Sequence, residues 1–512
     1  MASCTRWPCI PKPVCQSTPS CGTSSTCSFV LLTSASFTIA SMSSLPRHQK
    51  PLPAVVIVGA GLGGLMTAIL LERLSIPYHV FERATTVKPL GAAMSLGASI
   101  LPVMEQLGLL EEIEKISFPS NTVDMYNKKL KKIGGISQSS HKSLLGYENL
   151  IFARPRLYNL LLSQVPSEKI SFGKKVLRTM EKNNKVHIFC SDGTSYEGDI
   201  LIGADGAYSG VRQSLYKWMD EKGVLPPTDL ENFSIGFVSM VGVAEPKDPE
   251  KYPQLKDPFS HFSVVVGEHG RNYAAVSVPG NQICWGLGIQ LSPSEAKDQQ
   301  FRNSEWGPES NEAMIKEFQD MPCPWGGTVG DMIEDTPKHL ISKVFLEEKN
   351  FTAWYYGRTV LIGDACHKML PSAGLGAVNA MHDAVVLVNC LNDMPDASSG
   401  SITAAFQEYY KQRHHRLEAQ IKRSSSMTKT MGGQTRIDRI IRHVILNYLP
   451  TWVHDQGYVK SMEYRPQIAW LPLVPNRGTG KVLPQERVRG PTDAMKRDAP
   501  GQEKSEDKAV AS

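Results

Sequence analysis

The sequence lacks several features that would place it at once in a broad functional class. No apolar run approaches the roughly 18 residues that a membrane-spanning helix needs, so an integral membrane protein is not expected. Neither sign of charge dominates, because 55 basic and 50 acidic residues are mixed along the chain and leave a formal net charge of only +5. Nucleic acid is therefore not expected as a partner.

Cysteine is sparse, and its spacing matches no metal-finger pattern. Half of the 10 cysteines crowd into the first 27 residues, in a Ser/Thr-rich stretch without a nearby ligand histidine. The others are scattered singly, as reduced intracellular thiols usually are. We predict no metal site, and an intracellular protein that is either cytoplasmic or peripherally associated with a membrane.

The two ends of the chain differ in composition from its middle. Nothing acidic precedes Glu72 and residues 29–40 are mildly apolar, which permits a targeting peptide. A disordered leader, or a start at Met42, is the simpler interpretation. The end is rich in charge, proline and glycine. We assign residues 1–53 to a disordered or targeting leader and residues 481–512 to a disordered tail.

Between these ends, the order of elements predicts an α/β protein with a large core. From Ala54 the chain reads strand, glycine turn, helix, strand, which is a βαβ unit. Residues 176–211 look like hairpin strands that return to the same sheet, so residues 54–230 form the first part of a nucleotide-binding domain. A β-rich domain follows at 231–350, a return segment at 351–395 and a helical region at 396–480. The predicted fold is a Rossmann-like domain with a parallel sheet, a β-rich substrate domain and a helical C-terminal region.

The glycine turn predicts dinucleotide binding. Gly59, Gly61 and Gly64 form G-x-G-x-x-G between the first strand and the first helix, where backbone can approach a pyrophosphate at the helix N-terminus. Glu82 ends the second strand, where a carboxylate can accept hydrogen bonds from ribose hydroxyls and would repel a 2′-phosphate. These features favour FAD or NAD.

Two further motifs bear on the choice between FAD and NAD. "GADGAYSGVR" places Asp205 after a strand, and "GRTVLIGDACHKMLPSAGLGAVNAMHDA" places Asp364 at a strand end and Gly374 and Gly376 at a helix start. With the glycine turn, these motifs resemble the flavoprotein monooxygenases of the para-hydroxybenzoate hydroxylase type, including salicylate-hydroxylase-like and fungal secondary-metabolite enzymes. The resemblance extends from about Ala54 to Leu391.

The resemblance implies a role for each matching residue. Glu82 would bind the adenosine ribose, Asp205 would order the pyrophosphate region, and Asp364 would bind the ribityl or pyrophosphate part of FAD. The helix N-terminus at the last motif would stabilise the anionic reduced flavin. The other expected cofactor residues are Ser95, Arg154, Gly374, Gly376 and Ala377. Leu375 and Val378 depart from the Gln and Asn that many relatives carry.

The implied activity is a monooxygenase that uses NADPH or NADH as a transient co-substrate. It would hydroxylate or epoxidise an apolar or aromatic small molecule with O2, through a flavin C4a-hydroperoxide. A flavin-dependent reductase or a non-catalytic FAD-binding protein is the alternative. Tyr273, Trp285 and Pro371 are candidates to line the substrate pocket, although an ordinary core position suits the first two equally well.

Two other features have competing interpretations. Cys366 and His367 suggest a nucleophilic dyad, but the resemblance implies a structural histidine there, and no catalytic residue is assigned. "RIDRIIRHVILNYLPTWV" predicts a basic amphipathic helix whose apolar side carries Ile437, Ile440, Ile441, Val444, Ile445 and Tyr448. Packing of that side against the core is the commoner arrangement, and peripheral membrane contact is the alternative. The oligomeric state is left open.

Overall fold

The structure is a computed structural model, and it describes residues 52–86, 90–268, 270–292, 294–295, 308–370, 374–433 and 435–486. Nearly all of the predicted leader, most of the predicted tail and Pro371 lie outside the described residues. The strands are β1 (Val55–Val58), β2 (Tyr78–Phe81), β3 (Ala93–Leu96), β4 (Phe118–Asn127), β5 (Lys132–Ser137), β6 (Leu150–Ala153), β7 (Ile170–Ser171), β8 (Val176–Lys182), β9 (Lys185–Cys190), β10 (Ser195–Gly198), β11 (Ile200–Gly203), β12 (Ser234–Ala244), β13 (Ser260–Val266), β14 (Arg271–Val278), β15 (Gln282–Gln290), β16 (Ser342–Asn350), β17 (Tyr355–Tyr356), β18 (Thr359–Leu361) and β19 (His367–Lys368).

Helices cover both domains and form most of the C-terminal region. They are α1 (Leu62–Arg73), α2 (Leu101–Gln106), α3 (Leu110–Lys115), α4 (His141–Leu145), α5 (Arg154–Leu162), α6 (Gly210–Glu221), α7 (Pro308–Phe318), α8 (Val329–Glu334), α9 (Gly376–Asn392), α10 (Ser399–Gly432), α11 (Arg436–Asn447) and α12 (Thr451–Ser461). Within the described residues, none of them combines the length and the apolar character that crossing a bilayer would require.

A six-stranded sheet forms the nucleotide-binding domain, in the order β17, β18, β11, β1, β2, β7. All of its pairs are parallel except β17 with β18. The central strands read VVIV and ILIG and are fully buried, as expected of parallel strands covered by helices on both faces. The predicted hairpin strands β8, β9 and β10 form a separate three-stranded sheet, and only β11 joins the main one.

A ten-strand sheet forms the second domain, with nine strands in the order β19, β16, β12, β15, β14, β13, β4, β6, β3 and with β5 paired to β4. The predicted boundary at residue 230 therefore does not separate the two sheets. Strands β3 to β6 precede it, and β4 pairs in parallel with β13 more than a hundred residues later. Such non-local pairing leaves no periodic signal in the sequence.

The C-terminal helices continue from the nucleotide-binding domain, as the sequence predicts. Helix α9 packs along α1, and α10 packs along α9. Contacts with the rest of the protein also extend past the predicted boundary at 481. Leu483 bonds through its backbone N–H to Glu463 O (2.8 Å), and Glu486 pairs with Arg416 (2.6 Å). Charge and proline content alone did not reveal these contacts.

Candidate active site

The three motif glycines between β1 and α1 differ in how much room a side chain would have. Gly59 has φ +107°, and a Cβ there would lie 2.3 Å from Ala204 O. A Cβ on Gly64 would lie 2.0 Å from Gly59 O. A Cβ on Gly61 would meet none of the described residues within 4 Å. The first and third glycines therefore serve the packing of the chain, and the second leaves room for a ligand to approach the backbone.

Glu82 follows β2, and its side chain bonds to the backbone of the same turn. Its Oε2 accepts a hydrogen bond from the Ala60 N–H (2.8 Å), and its Oε1 accepts one from the Ala84 N–H (2.9 Å). A carboxylate oxygen has a second lone pair, so each oxygen can also accept a ribose hydroxyl. Glu82 lies where the sequence predicts an adenosine ribose.

Arg154 lies where β6 ends and α5 begins, next to the loop before β3. Its Nη1 donates to Leu90 O (3.3 Å), and a Cβ on Gly91 would lie 3.0 Å from Arg154 Cδ. Surrounding protein lowers the pKa of the Arg154 guanidinium, and the nearby negative charge of Asp364 acts in the opposite direction. Arg154 and Asp364, 210 positions apart in the sequence, therefore belong to one electrostatic environment.

Asp364 is exposed at the carboxyl end of β18, between buried neighbours. Among the described residues its carboxylate has no hydrogen-bond partner. The carboxyl edge of a parallel sheet is where ligands bind in such folds. The carboxylate is thus available to a ligand donor.

Gly374 lies next to β3, shortly before α9 begins. A Cβ on Gly374, which has φ +63°, would lie 3.7 Å from Ser95 Oγ. Helix α9 starts at Gly376 and Ala377, and within the described part of the chain no side chain caps its first turn. Its free N–H groups and partial positive charge suit an anionic group. Ser95 therefore lies next to the segment that carries Gly374, Gly376 and Ala377.

The Asp205 carboxylate accepts hydrogen bonds from within its own loop. The donors are Ser209 Oγ (2.5 Å) and the Val211 N–H (3.1 Å), at the start of α6. Burial raises the pKa of Asp205, and these two bonds oppose that effect. Arg212, in the same motif, donates from Nη1 to Ala365 O (2.8 Å) and so links this loop to the Asp364 turn.

Directly beneath the Asp364 turn is a buried ionic cluster that we name the Asp383 cluster: Gly363, His367, Asp383 and Arg413. Asp383 Oδ2 accepts from the Gly363 N–H (2.9 Å) and from His367 Nε2 (2.5 Å), while Arg413 Nε donates to Oδ1 (2.7 Å). Both the Asp383 and Arg413 side chains are fully buried. The cluster fixes the backbone on one side of Asp364.

Cys366, His367 and Asp383 bring their ligand atoms within 4.8 Å of one another, a spacing that a metal ion could use. The other contacts oppose that use. The Arg413 guanidinium already pairs with the Asp383 carboxylate and would repel a cation. Complete burial also raises the pKa of the Cys366 thiol well above its ordinary value. His367 orients Asp383 rather than activating a nucleophile, since Cys366 Sγ contacts Gly363 O (3.5 Å).

Tyr273 and Trp285 lie in the core of the second domain, on the sheet face covered by α7 and α8. Tyr273 Oη donates to Pro322 O, and Trp285 Nε1 donates to Thr336 Oγ1 (2.8 Å). A cavity of about 440 Å³ beside Tyr273 is lined largely by charged residues and by none of the predicted cofactor residues. The structure does not bring these two aromatic residues to the cofactor residues, and their contacts are those of core residues.

Sequence reasoning missed Gly91, Gly363, Asp383 and Arg413. Only Asp383 had a usable signal, because one acidic residue inside the apolar helix "AMHDAVVLV" predicts a buried, paired charge. The other three depend on contacts between distant segments.

The model of the family described as FAD binding domain matches residues 53–425. The chain belongs to this family. The match includes the glycine turn, the Asp205 loop, the Asp364 turn and most of α10. Family membership confirms the prediction that FAD is the cofactor.

Curated relatives and solved structures agree with that assignment. FAD-dependent monooxygenase ausM of Penicillium brasilianum is 25% identical over 448 residues, which cover 84% of this chain and 90% of that protein. FAD-dependent monooxygenase verC1 of Penicillium polonicum is 28% identical over 393 residues, or 73% of this chain and 46% of that protein. Klebsiella pneumoniae HpxO complexed with FAD and uric acid matches with a TM-score of 0.66 and 22% identity, over 81% of this chain and 97% of that one.

These comparisons confirm the predicted class, an FAD-dependent monooxygenase, and the predicted fold class. The assignment of individual site residues stays a prediction that rests on the contacts described above.

Proposed function

We propose that this protein uses NADH or NADPH and O2 to hydroxylate or epoxidise an apolar small molecule held against the large sheet. One observation carries the proposal: both edge strands of that sheet lie next to predicted cofactor residues. Strand β3 carries Ser95, next to Gly374, and β19 directly follows the Asp364 turn. One face of the sheet would therefore border the expected position of the flavin ring.

Residue alternation identifies that face. Ser95 pairs with Ile151, and Ile151 packs with Val276 and Cys284, so these side chains share a face. Tyr273 and Trp285 are odd-numbered on the same strands and point the other way. The face next to Ser95 therefore replaces Tyr273 and Trp285 as the proposed substrate wall.

The wall is apolar, and most of its residues are only partly buried. Its residues come from β12, β15, β14 and β13, which lie side by side in that order. The strand register aligns them in two rows, first Val241, Gly286, Ala274 and Val264, and then Val243, Cys284, Val276 and Phe262. Several of them keep intermediate exposure, although apolar strand residues normally pack fully. An open apolar wall suits an apolar or aromatic substrate.

The chain's own groups would act by binding and orienting. The turn at Gly61 and the Glu82 carboxylate suit the pyrophosphate and adenosine ribose, and Asp364 suits hydroxyl donors nearer the ring. When bound, FAD supplies the oxygen-activating redox chemistry, with electrons from the nicotinamide coenzyme. The first turn of α9 would stabilise negative charge at its free N–H groups, and the apolar wall would exclude water.

The first test is the visible spectrum of the purified protein, followed by oxygen uptake on addition of NADPH or NADH. Each coenzyme is tested with and without phenolic, indole and terpenoid compounds. We expect flavin bands and uptake that an apolar compound stimulates. Flavin with NADPH oxidation but no oxygen uptake would favour the reductase alternative. A protein that cannot be reconstituted with FAD would overturn the proposal.

A variant tests the substrate wall. Among the described residues, a Cβ on Gly286 meets only Val241 Cγ1, at 3.7 Å, so Gly286→Leu projects a side chain into the proposed site. We expect normal FAD content and a loss of substrate-stimulated oxygen uptake. Gly400→Leu, at the start of α10, is the matched control, because a Cβ there meets no described atom within 4 Å. Equal uptake by both variants would remove the wall from the proposal.

A further inference from the structure

Helix α11 exposes its apolar side, contrary to the commoner arrangement. Ile437 is 68% exposed and Ile440 is 64% exposed, and Tyr448, just after the helix, is 71% exposed. Ile441 (43%) and Val444 (45%) are also exposed. A soluble helix normally turns these residues inward, so exposure of all five needs an explanation.

The orientation of α11 is fixed by its other side. With about 3.6 residues per turn, Leu446 lies roughly opposite the five exposed residues. Leu446 is 8% exposed and packs against Gly134 of β5, where a Cβ would lie 2.5 Å from Leu446 Cβ. Asn447 Nδ2 donates to Ile133 O (2.9 Å). The apolar side therefore points away from the body of the protein.

The helix start is also held rigidly. Thr435 and Asp438 form a capping box, in which Thr435 Oγ1 accepts from the Asp438 N–H (3.0 Å) and Asp438 Oδ2 accepts from the Thr435 N–H (3.0 Å). Arg442 Nη1 donates to Met431 O (2.8 Å), which ties the middle of α11 to the end of α10. The exposed side is a preformed surface.

Positive charge lies near this surface. Arg436 and Arg439 are exposed on α11 itself. The turn between β4 and β5 lies beside the Leu446 end of the helix. This turn and the first residue of β5 carry four exposed lysines, and two of them pair with acidic residues, Lys128 with Glu268 and Lys132 with Asp124. The four are Lys128, Lys129, Lys131 and Lys132.

We propose that α11 and the β4–β5 turn dock the protein on an anionic lipid surface. The five apolar side chains would enter the boundary between headgroups and acyl chains, and the neighbouring cations would contact lipid phosphates. Exposed Tyr448 and Trp452 are the residue types that favour this interface. The interaction is peripheral.

The positive charge favours an anionic lipid surface over a second copy of the chain as the partner of α11. A two-fold dimer would place this surface against its own image and bring the same cations together. An anionic bilayer would instead meet them with opposite charge. Binding should therefore depend both on the isoleucines and on anionic lipid.

The test is flotation of the purified, full-length protein with vesicles. One set of vesicles contains phosphatidylcholine alone, and the other contains equal parts phosphatidylcholine and phosphatidylserine. We expect flotation with the anionic vesicles that weakens at high salt. The double variant Ile437→Ser, Ile440→Ser should lower the partition coefficient by more than about tenfold, because it removes two large apolar anchors. Lys129→Glu with Lys131→Glu should lower binding to anionic vesicles only.

The matched control is Leu177→Ser with Leu230→Ser, two leucines that are 58% and 66% exposed elsewhere on the protein. It should float as the unchanged protein does, and thermal unfolding should show that all variants remain folded. Equal flotation of the isoleucine variant and the control would overturn the proposal, as would failure of the unchanged protein to bind anionic vesicles. A dimer that the isoleucine variant converts to a monomer without lipid would assign the surface to a second copy.

Discussion

Asp364 and Asp383 are two carboxylates on either side of the same turn, with opposite environments. Asp364 is exposed, with no hydrogen-bond partner among the described residues, whereas Asp383 is fully buried and holds Gly363, His367 and Arg413. One is available to a ligand, and the other is used by the fold. The difference separates residues that should control cofactor affinity from residues that should control stability.

The glycine turn shows the same contrast between a residue used by the fold and one available to a ligand. Gly64 is packed against backbone, whereas a Cβ on Gly61 would meet none of the described residues. Substitutions at the filled positions should destabilise the protein before any cofactor binds. Substitutions at the open positions should leave the fold intact and weaken FAD binding.

The largest effect is expected for Arg413→Met. It leaves Asp383 buried with reduced compensation, which should cost about 3–5 kcal/mol in the free energy of unfolding. Urea denaturation of the cofactor-free protein measures it. Arg416→Met is the control, since its partner Glu486 is partly exposed and such pairs contribute about 0–1 kcal/mol. Equal costs would mean that the Asp383 cluster does not stabilise the turn.

Next in size is the contrast between Gly64→Ala and Gly61→Ala. The first places a methyl group 2.0 Å from Gly59 O and should cost about 1–3 kcal/mol or more, because only backbone movement relieves the clash. The second should leave the urea midpoint of the cofactor-free protein unchanged but prevent close approach of the pyrophosphate. Flavin absorbance after reconstitution reports the second effect, and retention of FAD by Gly61→Ala would contradict it.

Asp364→Ala should weaken FAD binding by roughly 10- to 100-fold, as expected when a hydrogen bond to a charged group worth about 1.5–3 kcal/mol is lost. Stability without cofactor should stay within about 0.5 kcal/mol, because the side chain is exposed. Titration of cofactor-free protein with FAD gives the dissociation constant. Asp220→Ala, at an exposed site on α6, is the control, and parallel behaviour of the two variants would remove Asp364 from the site.

The smallest effect concerns pH. Burial lowers the pKa of His382 to about 3, whereas an unfolded histidine has a pKa of about 6.5. Below pH 6.5 the unfolded chain therefore binds more protons, and stability falls as pH falls, by about 1–2 kcal/mol between pH 7 and pH 5. Denaturation at both pH values measures the change.

His382→Gln removes that proton but keeps a donor for Ser99 O, which lies 2.9 Å from His382 Nε2. Its loss of stability between the two pH values should be smaller than that of the unchanged protein. An identical loss would show that His382 does not contribute to the acid sensitivity. Asp383 acts in a separate window below pH 4, because His367 and Arg413 outweigh burial and lower the pKa of its carboxyl.

Sequence reasoning predicted the parts of the site that local spacing encodes. The glycine turn, Glu82 and the start of α9 each lie within one strand–turn–helix unit, so their relative positions follow from the local backbone. It did not predict the Asp383 cluster, because Arg413 reaches Asp383 from a different helix. It placed Tyr273 and Trp285 on the correct strands, but it could not say which face of the sheet borders the cofactor.

The sequence by itself determined the fold class, the FAD-binding family and the order of the motifs, since these depend on short-range patterns of glycine, charge and apolar residues. Only the tertiary structure decided which carboxylate is open, which sheet face is half-exposed and which side of α11 is buried. Those properties depend on contacts between segments far apart in the chain. Periodicity predicts that a helix or strand has an apolar side, but packing decides what that side meets.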